Sequence, residues 1–355
     1  MIIETWCRLR AGMTAFALLA TMVAGSTSEL RADEVRLKLH TYVPLSVPPM
    51  QHLLKPWADH LSQASGGKLK IDIYPLMQLG GRQPQLVDQV KDGVVDMVWT
   101  LLGATPGRFP RTEVFELPFT HRSTLATNLA LRDMLPKELA DDFKDYKILL
   151  LHVHAGNAIH MKDAAVERFD QFKLKKIRSP GQISTEMLEA IGATPIATTL
   201  TDVSSMMSRG VIDGALLPFD VLPSIKLNSL VRYHVLMAGD QRPTTAVFML
   251  AMNKKSYESL SPDLQKLIDD STGIEMSKKA AEVMDRFDQL GMKASKDGGA
   301  TFITLSAEET AKVRQASESV VAAWAKKLDA AGGNAQQVLS RAQELGAKYS
   351  PKAGQ

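Results

Sequence analysis

Two histidines near the middle of the chain have the spacing of half a metal site. His152 and His154 lie two residues apart at the end of the apolar run Ile148 to Val153, and alternate side chains of a strand point to the same face. His160 or an acidic residue could supply a third ligand. Because no histidine pair has the helical spacing of a metal site, structural or substrate-facing histidines are favoured, and we expect no metal and no cofactor.

Residue patterns that would support enzymatic chemistry are missing from the sequence. It contains no Gly-x-Ser-x-Gly elbow, no His-Glu-x-x-His motif and no glycine-rich phosphate loop. The one cysteine, Cys7, lies in the N-terminal leader, and the pairs Asp141-Asp142 and Asp269-Asp270 lie in polar helical segments typical of a solvated surface. We therefore expect a protein that is not an enzyme, with a secreted hydrolase or isomerase as the weaker alternative.

Loops that follow strands are the next candidates, because ligands of α/β folds bind beyond the carboxyl ends of the strands. The segments Thr41 to Pro49 and Thr100 to Pro110 each follow a predicted strand. Tyr42, in the first loop, could donate its hydroxyl to a ligand, and Arg108, in the second, could contact an anion. Loop packing for Tyr42 and a solvated charge for Arg108 are the simpler interpretations.

The elements that must position these residues alternate between strands and helices. We expect strands at Val35 to Leu39, Leu69 to Ile73, Val94 to Trp99, Ile148 to Val153, Leu174 to Arg178, Val211 to Leu216, Val231 to Leu236 and Ala246 to Ala251. We expect helices around Leu53 to Leu61, Leu86 to Val90, Ile183 to Ile191, Val203 to Met207, Pro262 to Gln289 and Ala307 to Ala330. This order predicts an α/β fold with parallel sheets covered by helices. Because no Pro/Gly-rich linker divides the chain, we expect two lobes joined by strand crossings that permit a hinge.

The N-terminus has the features of a secretory signal peptide. Arg8 and Arg10 precede an uncharged stretch of 15 residues, Ala11 to Gly25, whereas a membrane-spanning helix needs roughly 20 apolar residues. We assign residues 1–32 to the signal peptide and expect a periplasmic protein, with cleavage after Gly25 as an alternative. The net charge is +3, and the lysines and arginines are interspersed with acidic residues instead of forming a basic stripe. We therefore expect no nucleic-acid partner.

Colinear motifs along the chain resemble TRAP transporter solute-binding proteins, the DctP-like receptors of tripartite ATP-independent periplasmic transporters. The motifs are Gly66 to Pro75, Gln78 to Gly81, Val90 to Met97, Leu117-Pro118-Phe119, Lys176 to Pro180, Ile191 to Pro195, Gly210 to Gly214 and Leu260 to Gln265. The resemblance implies a two-lobed periplasmic-binding-protein fold with mixed sheets, a cleft between the lobes and a long helix spanning both. It also implies a receptor that delivers a small organic acid to the small and large membrane subunits of a transporter.

The resemblance further implies where the lobes lie along the chain. Lobe I would comprise residues 33–155 and 244–283, lobe II residues 156–243 and 284–345, and a flexible tail residues 346–355. A monomer is expected. The same fold could instead serve a receptor that feeds a sensor kinase, and neighbouring permease genes would distinguish the two.

Arg178 is the residue that we expect to anchor the ligand. It ends an apolar strand and matches the family arginine that pairs with a substrate carboxylate, for which the guanidinium fork is well suited. A surface arginine beside Lys175 and Lys176 is the simpler alternative. Two departures from better-known members narrow the class of ligand that we expect. Leu217 replaces a polar residue, often Asn, and the second arginine that some members carry ahead of this strand is missing, since no arginine occurs between Asp133 and Glu167.

These departures predict a monocarboxylate with an apolar or aromatic body rather than a sugar acid or a dicarboxylate. Trp99, Leu217 and Phe219 could form the walls around such a body. Ordinary core packing is an equally good interpretation of Trp99 and Phe219.

Overall fold

The computed structural model describes residues 34–350, so the predicted signal peptide lies outside the described part of the chain. The strands are β1 Val35–Thr41, β2 Leu69–Tyr74, β3 Met97–Leu101, β4 Lys147–Val153, β5 Ala158–Met161, β6 Lys176–Ser179, β7 Thr194–Ala197, β8 Gly214–Leu217, β9 Tyr233–Leu236, β10 Val247–Met252 and β11 Thr301–Thr304. The α-helices are α1 Lys55–Ala64, α2 Leu86–Lys91, α3 Thr124–Met134, α4 Ala140–Phe143, α5 Gln182–Ala190, α6 Val203–Ser208, α7 Lys254–Glu258, α8 Pro262–Ser271, α9 Ile274–Asp297, α10 Ala307–Ala330 and α11 Ala335–Tyr349.

The first sheet has the order β2, β1, β3, β10, β4. β1 is parallel to β2 and β3, but β10 is antiparallel to both β3 and β4. The expectation of parallel sheets, drawn from the alternation of strands and helices, is therefore wrong for β10. Its direction follows from where the chain re-enters this sheet: β10 begins beside the end of β4, with Val247 opposite Val153.

The second sheet has the order β11, β9, β5, β8, β6, β7. β6 is parallel to β7 and β8, whereas β5 is antiparallel to β8 and β9. Both sheets are thus mixed, as the resemblance to TRAP receptors predicts. The first sheet is the centre of one lobe and the second sheet is the centre of the other.

A 24-residue helix, α9, connects the two lobes. It packs on α3 and β4 of the first lobe and on the short helical turn Phe219–Val221 of the second. The predicted tract Pro262 to Gln289 is in fact two helices, because the backbone of Gly273 is extended and separates α8 from α9. The long helix spanning both lobes is confirmed.

The C-terminal helix α11 corrects one boundary. Residues 346–349, part of the predicted flexible tail, continue this helix, and the Tyr349 hydroxyl donates a hydrogen bond to Asp133 of α3. The sequence 335–349 has apolar positions at helical spacing, with Val338, Ala342 and Leu345 buried. Among the described residues no helix is long and apolar enough to cross a membrane.

Two crossing segments, 154–157 and 242–246, run side by side between the sheets. The backbone N–H of Asn157 donates to the Thr244 carbonyl at 2.8 Å, and its side-chain amide donates to the Thr244 hydroxyl at 2.9 Å. The Thr245 hydroxyl donates to the His154 carbonyl at 3.0 Å. The lobes are therefore joined by two hydrogen-bonded segments and α9, an arrangement in which a few residues can act as a hinge.

Candidate functional site

A cavity lies between the lobes, where β1, β3, β6 and β8 end. Most of its lining is apolar, as is usual for small-molecule sites. The lining residues are Tyr42, Val43, Val47, Pro49, Trp99, Leu101, His154, Asn157, Arg178, Pro180, Leu200, Leu217, Pro218, Asp220, Val221, Ala246, Phe248 and Met284. The two sheets and both crossing segments therefore contribute side chains to one site.

Arg178 is the one lysine or arginine in this lining. It lies on β6, an interior strand, and its side chain is only 4% exposed. Its Nε donates to the Thr198 carbonyl at 3.1 Å and its Nη1 to the Leu216 carbonyl at 3.4 Å. Within residues 34–350 no carboxylate oxygen lies within 4.0 Å of the guanidinium. Burial lowers the pKa of Arg178 to about 10, so the guanidinium remains charged at neutral pH.

Flat aromatic rings form one wall of the cavity. Trp99 stacks on Phe248 with ring centroids 4.7 Å apart and an interplanar angle of 4°. Tyr42 lies parallel to Trp99 at 6.2 Å. The Trp99 indole N–H donates to His152 Nε2 at 3.0 Å, which fixes the ring orientation. A flat, rigid apolar wall of this kind suits a planar ligand.

Three further polar side chains lie in the lining: His154, which the sequence leaves open as a structural or substrate-facing histidine, and Asn157 and Asp220, which were not predicted as ligand contacts. His154 Nδ1 accepts a hydrogen bond from the Gly156 N–H at 3.0 Å, so its Nε2 carries the proton and has no partner among the described residues. Burial lowers the pKa of His154 well below its usual range, which keeps the ring neutral. Asn157 and Asp220 lie outside the strands, in a crossing segment and a short turn, where no sequence periodicity marks them.

The predicted site residues divide into two groups in the structure. Tyr42, Trp99, Arg178 and Leu217 are brought together around the cavity. Phe219 is buried behind this lining, where it stacks on Phe302 at 5.7 Å. Arg108 lies on the surface of the first lobe, paired with Asp88 at 2.9 Å and close to the Tyr146 hydroxyl at 3.4 Å. The structure therefore brings neither Phe219 nor Arg108 into the cavity lining.

The histidines whose spacing resembles half of a metal site have structural roles in the fold. His152 accepts the hydrogen bond from Trp99, and His160 donates from Nε2 to the Leu217 carbonyl at 2.9 Å. Burial lowers the pKa of His152 to about 4. No group of three or more histidine, cysteine, aspartate or glutamate side chains is arranged for metal binding in residues 34–350. These histidines orient the ring and the backbone that form the cavity wall.

The lobes touch beside the cavity through two glycines. A β-carbon added to Gly181, at the start of α5, would lie 2.9 Å from the carbonyl oxygen of Gly103 in the first lobe. Contacts this short do not occur for real β-carbons, so only glycine permits this approach. The Ser224 hydroxyl makes a second contact, donating to the Ser46 carbonyl at 3.1 Å. The two lobes are therefore in contact beside the cavity, and the lack of a side chain at Gly181 permits this close approach.

Two solved structures resemble this chain closely. One is a TRAP solute-binding protein specific for aromatic acid ligands from an unidentified marine microbe, in complex with metahydroxyphenylacetate. It is 40% identical and has a TM-score of 0.87, over 90% of this chain and all of the other. The second is a TRAP solute-binding protein from Rhodoferax ferrireducens, in complex with copurified benzoate. It is 39% identical with a TM-score of 0.85, over 89% of this chain and 98% of the other.

A curated relative and a family model agree with this similarity. The protein named outer membrane transporter protein TsaT, from Comamonas testosteroni, is 24% identical over 326 residues, covering 90% of this chain and 94% of the relative. Residues 40–327 match the model of the bacterial extracellular solute-binding proteins, family 7. The family match agrees with the two-lobed architecture and its cleft. The chain therefore belongs to this DctP family of TRAP solute-binding proteins.

Proposed function

We propose that this protein is the periplasmic receptor of a TRAP transporter, and that it binds a small aromatic monocarboxylate in its cleft. The signal peptide at residues 1–32 would export it, and the small and large membrane subunits of the transporter would receive the ligand. We propose a monomer whose lobes have the boundaries predicted above, except that α11, Ala335–Tyr349, packs on α3 and would belong to the first lobe. Arg178, Trp99, Leu217 and Tyr42 would contact the ligand.

The observation that carries this proposal is a buried guanidinium without a carboxylate partner in an aromatic cavity. Leaving a buried charge unpaired is costly, and a carboxylate that offers two oxygens to the fork offsets this cost. Because Arg178 is the one cation in the cavity lining, a second carboxylate of a ligand would find no second cation among these residues. The lining thus favours one acidic group on a flat apolar body.

The similar solved structures support the same ligand class. One relative is described as specific for aromatic acid ligands, and another copurified with benzoate. Both are about 40% identical to this chain over nearly their full length. Arg108 and Phe219, which we also predicted as contacts, would have supporting roles: Arg108 as a surface charge and Phe219 as packing behind Leu217.

A thermal-shift panel tests the proposed ligand class. The protein should first be unfolded and refolded, because a ligand can copurify with such receptors. We expect benzoate and phenylacetate to raise the melting temperature, since a ligand at 100 times its Kd adds about 2.7 kcal/mol to the free energy of unfolding. Succinate should leave the melting temperature unchanged. A larger shift with succinate than with benzoate would exclude the aromatic monocarboxylate assignment.

Closure around the ligand gives a second prediction, at Gly181. We expect Gly181→Ala to weaken benzoate binding by about 5- to 150-fold, because overpacking costs about 1–3 kcal/mol and here it falls on the closed form. Isothermal titration calorimetry measures this loss. Gly273→Ala is a matched control, since Gly273 also precedes a helix but has nothing within 4 Å of an added β-carbon. Equal affinities for the two variants would contradict this role of Gly181.

A further inference from the structure

The carboxyl group of Asp220 has no hydrogen-bond partner although it is buried in the cavity lining. Asp220 lies in the turn Phe219–Val221 that follows β8, and it is 3% exposed. Neither of its side-chain oxygens accepts a hydrogen bond from residues 34–350. Its own backbone N–H lies near enough to favour the charged form slightly but makes no hydrogen bond to it.

Other buried acids of the chain have partners. Asp288 accepts from the Phe219 N–H at 2.8 Å and from Arg242 at 2.7 Å. Glu116 accepts from the Val247 N–H at 2.8 Å. Buried polar groups without partners are uncommon in folded proteins and cost about 1–3 kcal/mol each. An acid that forms part of a cavity wall and lacks a partner is therefore a group that a ligand can satisfy.

Asp220 does not neutralise Arg178. The two side chains line the same cavity, but no nitrogen of Arg178 lies within 4.0 Å of either Asp220 oxygen. Burial, followed by repulsion from Asp288, raises the pKa of Asp220 well above its usual range. In either protonation state the carboxyl keeps at least one oxygen that can accept a hydrogen bond. The cavity thus has a cationic donor and a separate, unsatisfied acceptor.

A second acceptor of the same kind lies in the same lining. The side-chain oxygen of Asn157 is buried without a partner, while its amide nitrogen donates to Thr244 at 2.9 Å. A ligand that consisted of a carboxylate and a bare hydrocarbon ring would satisfy Arg178 but neither acceptor. A ligand with a hydroxyl group on the ring supplies the missing donor.

We propose that Asp220 is a specificity residue that accepts a hydrogen bond from a ring hydroxyl of the ligand, so that the preferred substrates are hydroxylated aromatic monocarboxylates. This inference rests on the proposed function and names its substrate class more narrowly. Sites built to hydrogen-bond a hydroxyl reject the analogue that lacks it, because their polar groups are then left buried and unpaired. We expect a preference of about 10- to 100-fold for the hydroxylated ligand.

Calorimetric titration with matched ligands tests this role. The ligands are benzoate, its three monohydroxy isomers, and the methyl ether of the isomer that binds most tightly. In the wild-type protein that isomer should bind about 10- to 100-fold more tightly than benzoate, and its methyl ether should lose this advantage. In Asp220→Leu the ratio of the affinity for the hydroxylated acid to the affinity for benzoate should fall to about one. Asp220→Asn keeps an acceptor oxygen and should retain part of the preference.

The outcomes separate this inference from the proposed function. Equal wild-type affinities for benzoate and all three isomers would overturn the role of Asp220 while leaving the aromatic receptor intact. An unchanged preference in Asp220→Leu would overturn it as well. If Asp220→Leu does not fold, the methyl ether decides the question with the wild-type protein alone. Weaker binding of the ether than of the hydroxylated acid supports the hydrogen bond, and equal binding of the two overturns it. Failure of every aromatic acid to bind would contradict the proposed function itself.

Discussion

Replacing Arg178 by alanine is expected to weaken benzoate binding severely. Removing one partner of a buried, hydrogen-bonded charge pair costs about 2–5 kcal/mol, which corresponds to a loss of about 30- to 4,000-fold in affinity. Arg178 is the one cation in the cavity lining, so no neighbouring lysine or arginine there replaces it. Calorimetric titration of Arg178→Ala with benzoate measures the loss directly.

Two further variants determine what the arginine contributes. Arg178→Lys keeps the charge but loses the planar fork of donors, and we expect it to recover only a minor part of the affinity. Arg108→Ala removes an arginine from the surface of the first lobe, where it pairs with Asp88, and we expect it to bind benzoate as the wild-type protein does. An affinity for Arg178→Ala equal to that of Arg108→Ala would refute the anchor assignment.

Replacing Asp288 by alanine is expected to give the largest loss of stability among single substitutions near the cleft. Asp288 lies on α9 with its side chain 4% exposed, pairs with Arg242 at 2.7 Å, and accepts the Phe219 N–H. Breaking a buried ion pair by removing one partner costs about 3–5 kcal/mol, because the other charge stays buried and unpaired. Chemical denaturation in the absence of ligand measures the change in the free energy of unfolding.

The effect of Asp288→Ala should extend to the cavity, because Asp288 accepts a hydrogen bond from the backbone N–H of Phe219. Phe219 directly follows Leu217 and Pro218, which line the cavity. Asp297→Asn is the matched control: Asp297 lies on the same helix and pairs with Lys293 on the exposed surface, where an ion pair contributes only about 0–1 kcal/mol. In a double-mutant cycle, Arg242→Ala combined with Asp288→Ala should cost less than the sum of the single changes. Additive losses would show that the two residues do not act as a pair.

The parts of this account that could be predicted from sequence are those that local patterns encode. Arg178 and Trp99 each end a predicted strand, so a fold with ligands at strand ends brings both to the cleft. Leu217 could be singled out only through the resemblance, because it stands where better-known members carry a polar residue. The two lobes and their joining helix followed from colinear motifs that resemble TRAP receptors.

Other parts could not be predicted because they depend on contacts distant in sequence. The direction of β10 is determined by where the chain returns from the second lobe, which no periodicity records. Asp220 differs from surface aspartates only in its surroundings, since burial and the absence of a partner arise from packing against residues far along the chain. Arg108 and Arg178 are likewise the same residue type in strand-end segments, and only the fold separates a surface ion pair from a buried anchor.

A crystal structure of the protein with benzoate tests the central claim most directly. We expect the ligand in the cavity between the lobes, with both carboxylate oxygens about 2.7–2.9 Å from guanidinium nitrogens of Arg178 and the ring against the wall formed by Trp99 and Phe248. A carboxylate directed away from Arg178, or a ligand bound outside this cavity, would contradict the account.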